Sequence, residues 1–217
     1  MTINHHLDPA TIVSFAAGTL DQAFGTAAAA HVAWCPQCRA AAQQAEAAGG
    51  ILLAGLDASQ VSPDCKRRTL ELLDRATLHR FPNAPRDRPR VPAPLAQLLA
   101  TDDLESLKWR RMAPGVTKFD IPLEAASRGH LRLMRIGAGC RMPEHGHGGE
   151  EITLILSGAY HDKLGRFAPG DVADLDEDIE HQPVVEREAD CICLVATEAP
   201  ARFKSWPARL LQPFIGV

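Results

Sequence analysis

Two thiols and an imidazole stand within eight residues in the stretch His31-Val32-Ala33-Trp34-Cys35-Pro36-Gln37-Cys38, inside an otherwise alanine-rich segment. On a helix, residues four and seven apart fall on roughly one side, so His31, Cys35 and Cys38 would present three soft-metal donors together. Pro36 cannot donate a helical hydrogen bond, and it drives Cys35 out of the α region. One helix should therefore stop near Cys35 and the next should begin with Pro36 in its first turn. A closed tetrahedral zinc site would need a fourth ligand from elsewhere. The only other histidines in the first seventy residues are His5 and His6. A bare C-x-x-C pair is also compatible with redox chemistry, but a histidine four residues ahead favours a metal.

A second constellation lies far downstream, where Gly139 is followed by His145-Gly146-His147, then Glu151 and Gly158. Alternate residues of a strand share a face, as two ligands of one metal must. Gly148 and Gly149 permit a turn or bulge that brings Glu151 round to the same centre. Glu150 is an alternative carboxylate. Cys191 and Cys193 alternate with Ile192 and share a strand face as a possible redox pair, although two residues of one strand are poorly placed for a relaxed disulfide with each other. Cys140, beside the histidine motif, is a possible oxidation target. Cys65 reads as an ordinary, partly buried cysteine, His79, His130 and His161 as surface or packing residues, and Trp34, Trp109 and Trp206 as core.

The elements that must hold these groups change character along the 217 residues. Residues 1–80 read as helices. Asp8-Pro9 opens one that Gly18 can close, and a second runs from about Asp21 to Trp34. A third runs from Pro36 to Ala48, ending at Gly49-Gly50, and a fourth from a Ser62 cap to about Leu78. Such alanine-rich helices build a thin core, which a bound metal would reinforce. Residues 81–94, with prolines 82, 85, 89, 92 and 94 around arginines 86, 88 and 90, read as a linker. Beyond it the pattern alternates. Strands are expected at 107–112, 116–121, 130–136, 152–156, 171–175 and 191–196, in an antiparallel barrel or sandwich over 95–217.

Net charge is −4, with neither half basic, so direct nucleic-acid binding is not expected and a protein partner is. No signal peptide or apolar run of membrane-spanning length is visible, which implies a cytoplasmic chain with mostly reduced or metal-bound cysteines.

The H-x3-C-x2-C pattern of His31, Cys35 and Cys38 resembles that of the zinc-binding anti-sigma family, in which an amino-terminal histidine completes the site. Here that ligand maps to His6, with His5 as the fallback. The Gly139 to Gly158 spacing resembles the first cupin motif, and favours Glu151 over Glu150. The run Phe167-Ala168-Pro169-Gly170-Asp171 resembles the second, whose histidine maps to His181. Asp176, Asp178 and Val185 depart from that motif's proline, glycine and asparagine. An all-α zinc-binding domain joined to a cupin barrel resembles the ChrR-type anti-sigma factors. That resemblance implies a non-enzymatic regulator that masks an extracytoplasmic-function sigma factor and releases it on oxidative signals such as singlet oxygen. It also implies zinc in the helical site and zinc or another divalent transition metal in the cupin site. The alternative is a metal-dependent, dioxygenase-like cupin enzyme with an accessory helical domain.

Overall fold

The computed structural model describes residues 2–75 and 91–203. Most of the 81–94 linker, the end of the fourth expected helix, His79 and Trp206 lie outside the described residues. Four helices come first: α1 (Pro9–Ala16), α2 (Gln22–Trp34), α3 (Pro36–Ala54) and α4 (Cys65–Arg75); α5 (Ala93–Leu99) and a short 3-10 turn at Leu104–Ser106 follow. The strands are β1 (Arg110–Ala113), β2 (Val116–Asp120), β3 (His130–Ile136), β4 (His145–Gly146), β5 (Glu151–Ser157), β6 (Tyr160–Asp162), β7 (Gly165–Phe167), β8 (Val172–Leu175), β9 (Val184–Val185), β10 (Cys191–Thr197) and β11 (Arg202–Phe203).

Helix starts follow local chemistry. Asp8 and Asp21 cap α1 and α2, each accepting from the amide two residues on, at 2.8 and 3.0 Å. Asp21 also takes hydrogen bonds from Ser127 Oγ and the Arg128 and Gly129 amides, which pins the start of α2 to the β2–β3 turn. That turn comes so close that a Cβ on Gly129 would sit 2.9 Å from the Ala23 Cβ. The third helix does not end at Gly49-Gly50 as its sequence suggests, but continues to Ala54. A Cβ at either glycine would meet no neighbour, so they lie on an open stretch of helix where glycine costs about 1 kcal/mol and does not terminate.

Six antiparallel strands form the main sheet in the order β1-β2-β3-β10-β5-β8, with β7-β6-β9 and β11-β4 as smaller sheets rather than one continuous closed barrel. The central strands are covered on both sides, which explains their nearly unbroken apolar runs. Leu131, Leu133, Ile152, Leu154, Leu194 and Ala196 join the helices in one core. Met134, Ile136, Ile155, Cys191, Cys193 and Val195 join Tyr160, Phe167 and Val185 of the small sheet in another. The main sheet is thus a wall with the small sheets and their core on one face and the helices on the other. Ala23, Ala27, Ala28 and Ala30 of α2 are fully buried, and small side chains let α2 lie close on β3, β5 and β10. At the end of the stretch read as linker, Val91 is buried in the helix-side core with Leu95 just beyond it, and α5, which begins at Ala93, packs on α2.

Candidate metal centres

The helical site forms where α2 gives way to α3. Cys35 has extended backbone angles (φ −96°, ψ 108°) and its sulfur accepts the Cys38 amide at 3.4 Å, so the first thiol also caps α3. Leu7, buried at 4%, anchors the N-terminal segment beside it. His6 Nδ1 then lies 3.3 Å from Cys35 Sγ and 3.7 Å from Cys38 Sγ, while His31 Nε2 lies 3.2 Å from Cys38 Sγ. One donor atom from each of the four residues falls within 4.8 Å of all the others. A tetrahedral ion with metal–nitrogen bonds of about 2.0 Å and metal–sulfur bonds of about 2.3 Å has ligand edges of roughly 3.3–3.8 Å. The donor set and its spacing fit such an ion. His5, the fallback ligand, turns its ring onto Phe167 at 4.1 Å between centroids.

His31 is completely buried, and burial lowers its pKa to about 4, keeping the ring neutral as a ligand must be. Its Nδ1 donates to the Gly170 carbonyl at 3.0 Å, which fixes the tautomer and leaves Nε2 as the donor toward a metal. That carbonyl belongs to the β7–β8 turn of the cupin half. Next to it, Asp171, 1% exposed, accepts the amides of Asn4 (2.6 Å), His5 (3.1 Å) and Ala168 (2.9 Å). The β7–β8 turn therefore holds two parts of the helical site, the ring of His31 and the segment carrying His6. Gly170 and Asp171 in turn pair with Ile155 of β5.

On the opposite face of the wall, His145, His147 and His181 are buried and bring one ring nitrogen each within 4.8 Å of the others. His145 Nδ1 donates to the Pro143 carbonyl and His181 Nδ1 to the Asp162 carboxylate, both at 2.9 Å. Each neutral ring then carries its lone pair on Nε2, and these two atoms face each other at 3.2 Å. Two lone pairs at that distance repel unless a cation lies between them. His147 Nε2 is also buried, with no hydrogen-bond partner among the described residues. The three imidazoles thus fit a shared metal ion. Glu151 lies against this group, Oε2 at 3.3 Å from His147 Nδ1 and Oε1 accepting from Thr153 at 3.0 Å. Burial pushes its carboxyl up, but the hydrogen bond from His147 and the three imidazoles outweigh it and hold the pKa at about 2. Glu150 is not part of the group, and burial raises its pKa.

Cys191 and Cys193 do share the inner face of β10, as their spacing predicts. Burial raises the Cys191 pKa to about 12 and the Cys193 pKa well above the usual thiol value, so both stay protonated and poorly nucleophilic in the folded chain. Trp34 is buried, and His130 and His161 are exposed. Trp109 is partly buried, its Nε1 donating to Leu104 and its ring under the Arg135 guanidinium. Sequence reasoning missed Asp162 and the Gly170 carbonyl, because each meets its histidine only through the fold. No helix among the described residues is long and apolar enough to cross a membrane.

Comparison with known proteins adds three findings. A family model described as the ChrR cupin-like domain matches residues 99–201. The anti-sigma-E factor ChrR of Cereibacter sphaeroides is 41% identical over 217 residues, covering the whole of both chains. A chain in the crystal structure of Rhodobacter sphaeroides SigE in complex with the anti-sigma ChrR is similar with a TM-score of 0.78 and 38% identity, over 90% of this chain and 99% of that one.

Proposed function

We propose, for a chain that belongs to the ChrR family of anti-sigma factors, that it binds and inhibits an extracytoplasmic-function sigma factor and releases it in response to oxidants such as singlet oxygen. Its relatives are regulators rather than enzymes, and the dioxygenase reading is set aside on that ground.

The observation that carries the proposal is an apolar surface on the helical half that none of the described residues covers. Ile51, Leu52, Leu53, Leu56, Val61, Leu70, Leu72 and Leu73 are between 50% and 75% exposed, and no described residue of α4 is buried. A helix with large apolar side chains and no buried face suits a protein partner. In this reading His6, His31, Cys35 and Cys38 hold zinc, which supplies a structural cross-link and hence folding free energy. These ligands tie the N-terminal segment to the α2–α3 junction and so set the direction of α3, at whose far end the apolar surface begins. His145, His147 and His181, with Glu151, hold zinc or another divalent transition metal in the cupin half. The proposed division is a zinc-binding helical domain at 1–80, a linker at 81–94 and a cupin domain at 95–217, acting in the cytoplasm.

The test is co-purification of the full chain with extracytoplasmic-function sigma factors from the same cell. A sigma factor retained without chelator and lost with it supports the reading. Cys35→Ser or Cys38→Ser should weaken binding, whereas His147→Ala should leave inhibition intact and blunt release. Failure of the full chain to retain any sigma factor would overturn it.

A further inference from the structure

The sequence holds four methionines, and the three beyond Met1 converge on one cavity. Met112 comes from β1, Met134 from β3 and Met142 from the segment before β4. Cys140 joins them, Val116 forms part of the wall, and His145 of the cupin cluster lies at one side. Arg141 also lines the space and donates to Gln182. The cavity measures about 250 Å³, a little below the roughly 300–1,000 Å³ typical of pockets for drug-sized ligands, so it suits a small guest. Met134 is 8% exposed, but Met112, Cys140 and Met142 are only half-buried, so the rim of the cavity is partly open to solvent. Cys191 and Cys193 belong to the same core as Met134 but are more deeply buried and protonated, and are the less reactive sulfurs.

We propose that this methionine-lined cavity is an oxidation site in which one molecule of singlet oxygen converts two methionines to sulfoxides. The proposal rests on the oxidant-release reading given above. Dioxygen is small and uncharged and enters an apolar space readily, and thioether sulfur is soft and polarisable. Addition of dioxygen to one thioether forms a sulfur–oxygen bond and leaves a persulfoxide. Its terminal oxygen then passes to a second thioether as the oxygen–oxygen bond breaks. Each sulfur gains one oxygen and loses two electrons, the dioxygen takes up all four, and no proton or outside reductant is required. An isolated methionine lacks the second sulfur, whereas three thioethers around one small cavity supply it.

The product places polar sulfoxides in an apolar space and can be reset by reduction. It also acts beside the metal cluster. The Met142 amide donates to Pro183 at 2.9 Å, and the Pro143 carbonyl is the group that orients His145. Repacking at Met142 therefore bears on the ring that faces His181.

The experiment illuminates the metal-loaded full chain with an immobilised photosensitiser under an equal mixture of ordinary and heavy-isotope dioxygen, and maps oxidised peptides by mass spectrometry. Chains doubly oxidised among Met112, Met134 and Met142 should carry the same oxygen isotope in both sulfoxides. Deuterated water, which prolongs singlet oxygen, should raise their yield. Isotopes mixed at random, or histidine and cysteine products while these methionines stay intact, would overturn the proposal. Replacing all three by the similarly sized leucine should abolish paired oxidation in a folded chain. Release of a bound sigma factor is scored separately. Same-isotope pairs in a complex that ignores illumination would leave the cavity chemistry standing and refute the release reading; random isotopes with intact release would do the reverse.

Discussion

Asp171→Ala tests whether the cupin half supports the helical metal site. The carboxylate accepts the Asn4 and His5 amides, which precede His6, and the Ala168 amide, which shapes the turn presenting the Gly170 carbonyl to His31. Hydrogen bonds to a charged acceptor contribute about 1.5–3 kcal/mol each. Loss of the two that tether the His6 segment removes roughly 3 kcal/mol at the lower figure, about a hundredfold in affinity if it all falls on the metal site. Asn4 is exposed, and water can pair with the freed amides, so the expected loss is about ten- to a hundredfold, the range found for residues supporting metal ligands. Asp171→Asn keeps an acceptor oxygen and should lose less. The assay is competition for zinc with a chromogenic chelator, in a His145→Ala background so that only the helical site is read. A lowered melting temperature with unchanged zinc affinity would refute the coupling and reduce Asp171 to a residue that stabilises the fold.

Other expectations concern separate parts of the chain. Leu72→Ser with Leu73→Ser should leave the urea midpoint nearly unchanged, because both side chains are already more than 60% exposed. The pair should weaken sigma binding by about tenfold or more, since each buried leucine contributes about 1.5–3 kcal/mol. A titration showing unaltered affinity would remove α4 from the interface. Cys191 has its pKa raised from 9.0 to about 12, so its folded-state preference is for the thiol. Stability from this group is complete below pH 9 and falls by about 1.4 kcal/mol per pH unit as the unfolded thiol ionises, until pH reaches the folded value. Folded protein at pH 8 should therefore alkylate at Cys65 and Cys140 well before Cys191, and equal rates would contradict the burial argument. Gly158 has φ +69°, and a Cβ there would run into the Asp190 backbone. Gly158→Ala should cost more than about 2 kcal/mol in chemical denaturation, and a smaller loss would mean that the β5–β6 turn can relax.

What could be read from sequence was what depends on near neighbours. The H-x3-C-x2-C spacing, the proline between its cysteines and the aspartates before α1 and α2 act within a turn or two, and the fold keeps all of them. The long strands β3, β5 and β10 were legible from their length and β-branched content, although burial on both faces makes β5 and β10 nearly continuous apolar runs rather than the alternation expected for them. Strands β4, β6, β7, β9 and β11 are two or three residues long and too short to carry a period. The ending expected at Gly49-Gly50 failed because glycine weakens a helix without stopping it. The support of His31 by Gly170 spans 139 positions, and that of His181 by Asp162 spans 19 and joins strand β6 to the loop before β9. No local pattern marks either pairing. The methionine cavity was equally hidden, since its three methionines come from separate segments that only the fold brings together.

The burial of α2 against β3, β5 and β10 has a consequence for the order of events in synthesis. Its alanine face leaves the ribosome early, while the strands that cover it emerge much later and must first pair with one another. Contacts of such long sequence separation form slowly. The nascent helical half therefore passes through an interval in which its cupin-facing surface and its α3–α4 surface are both open to solvent. A protein present during that interval meets a chain with two sticky sides, and completion of β10 covers the one that faces the sheet.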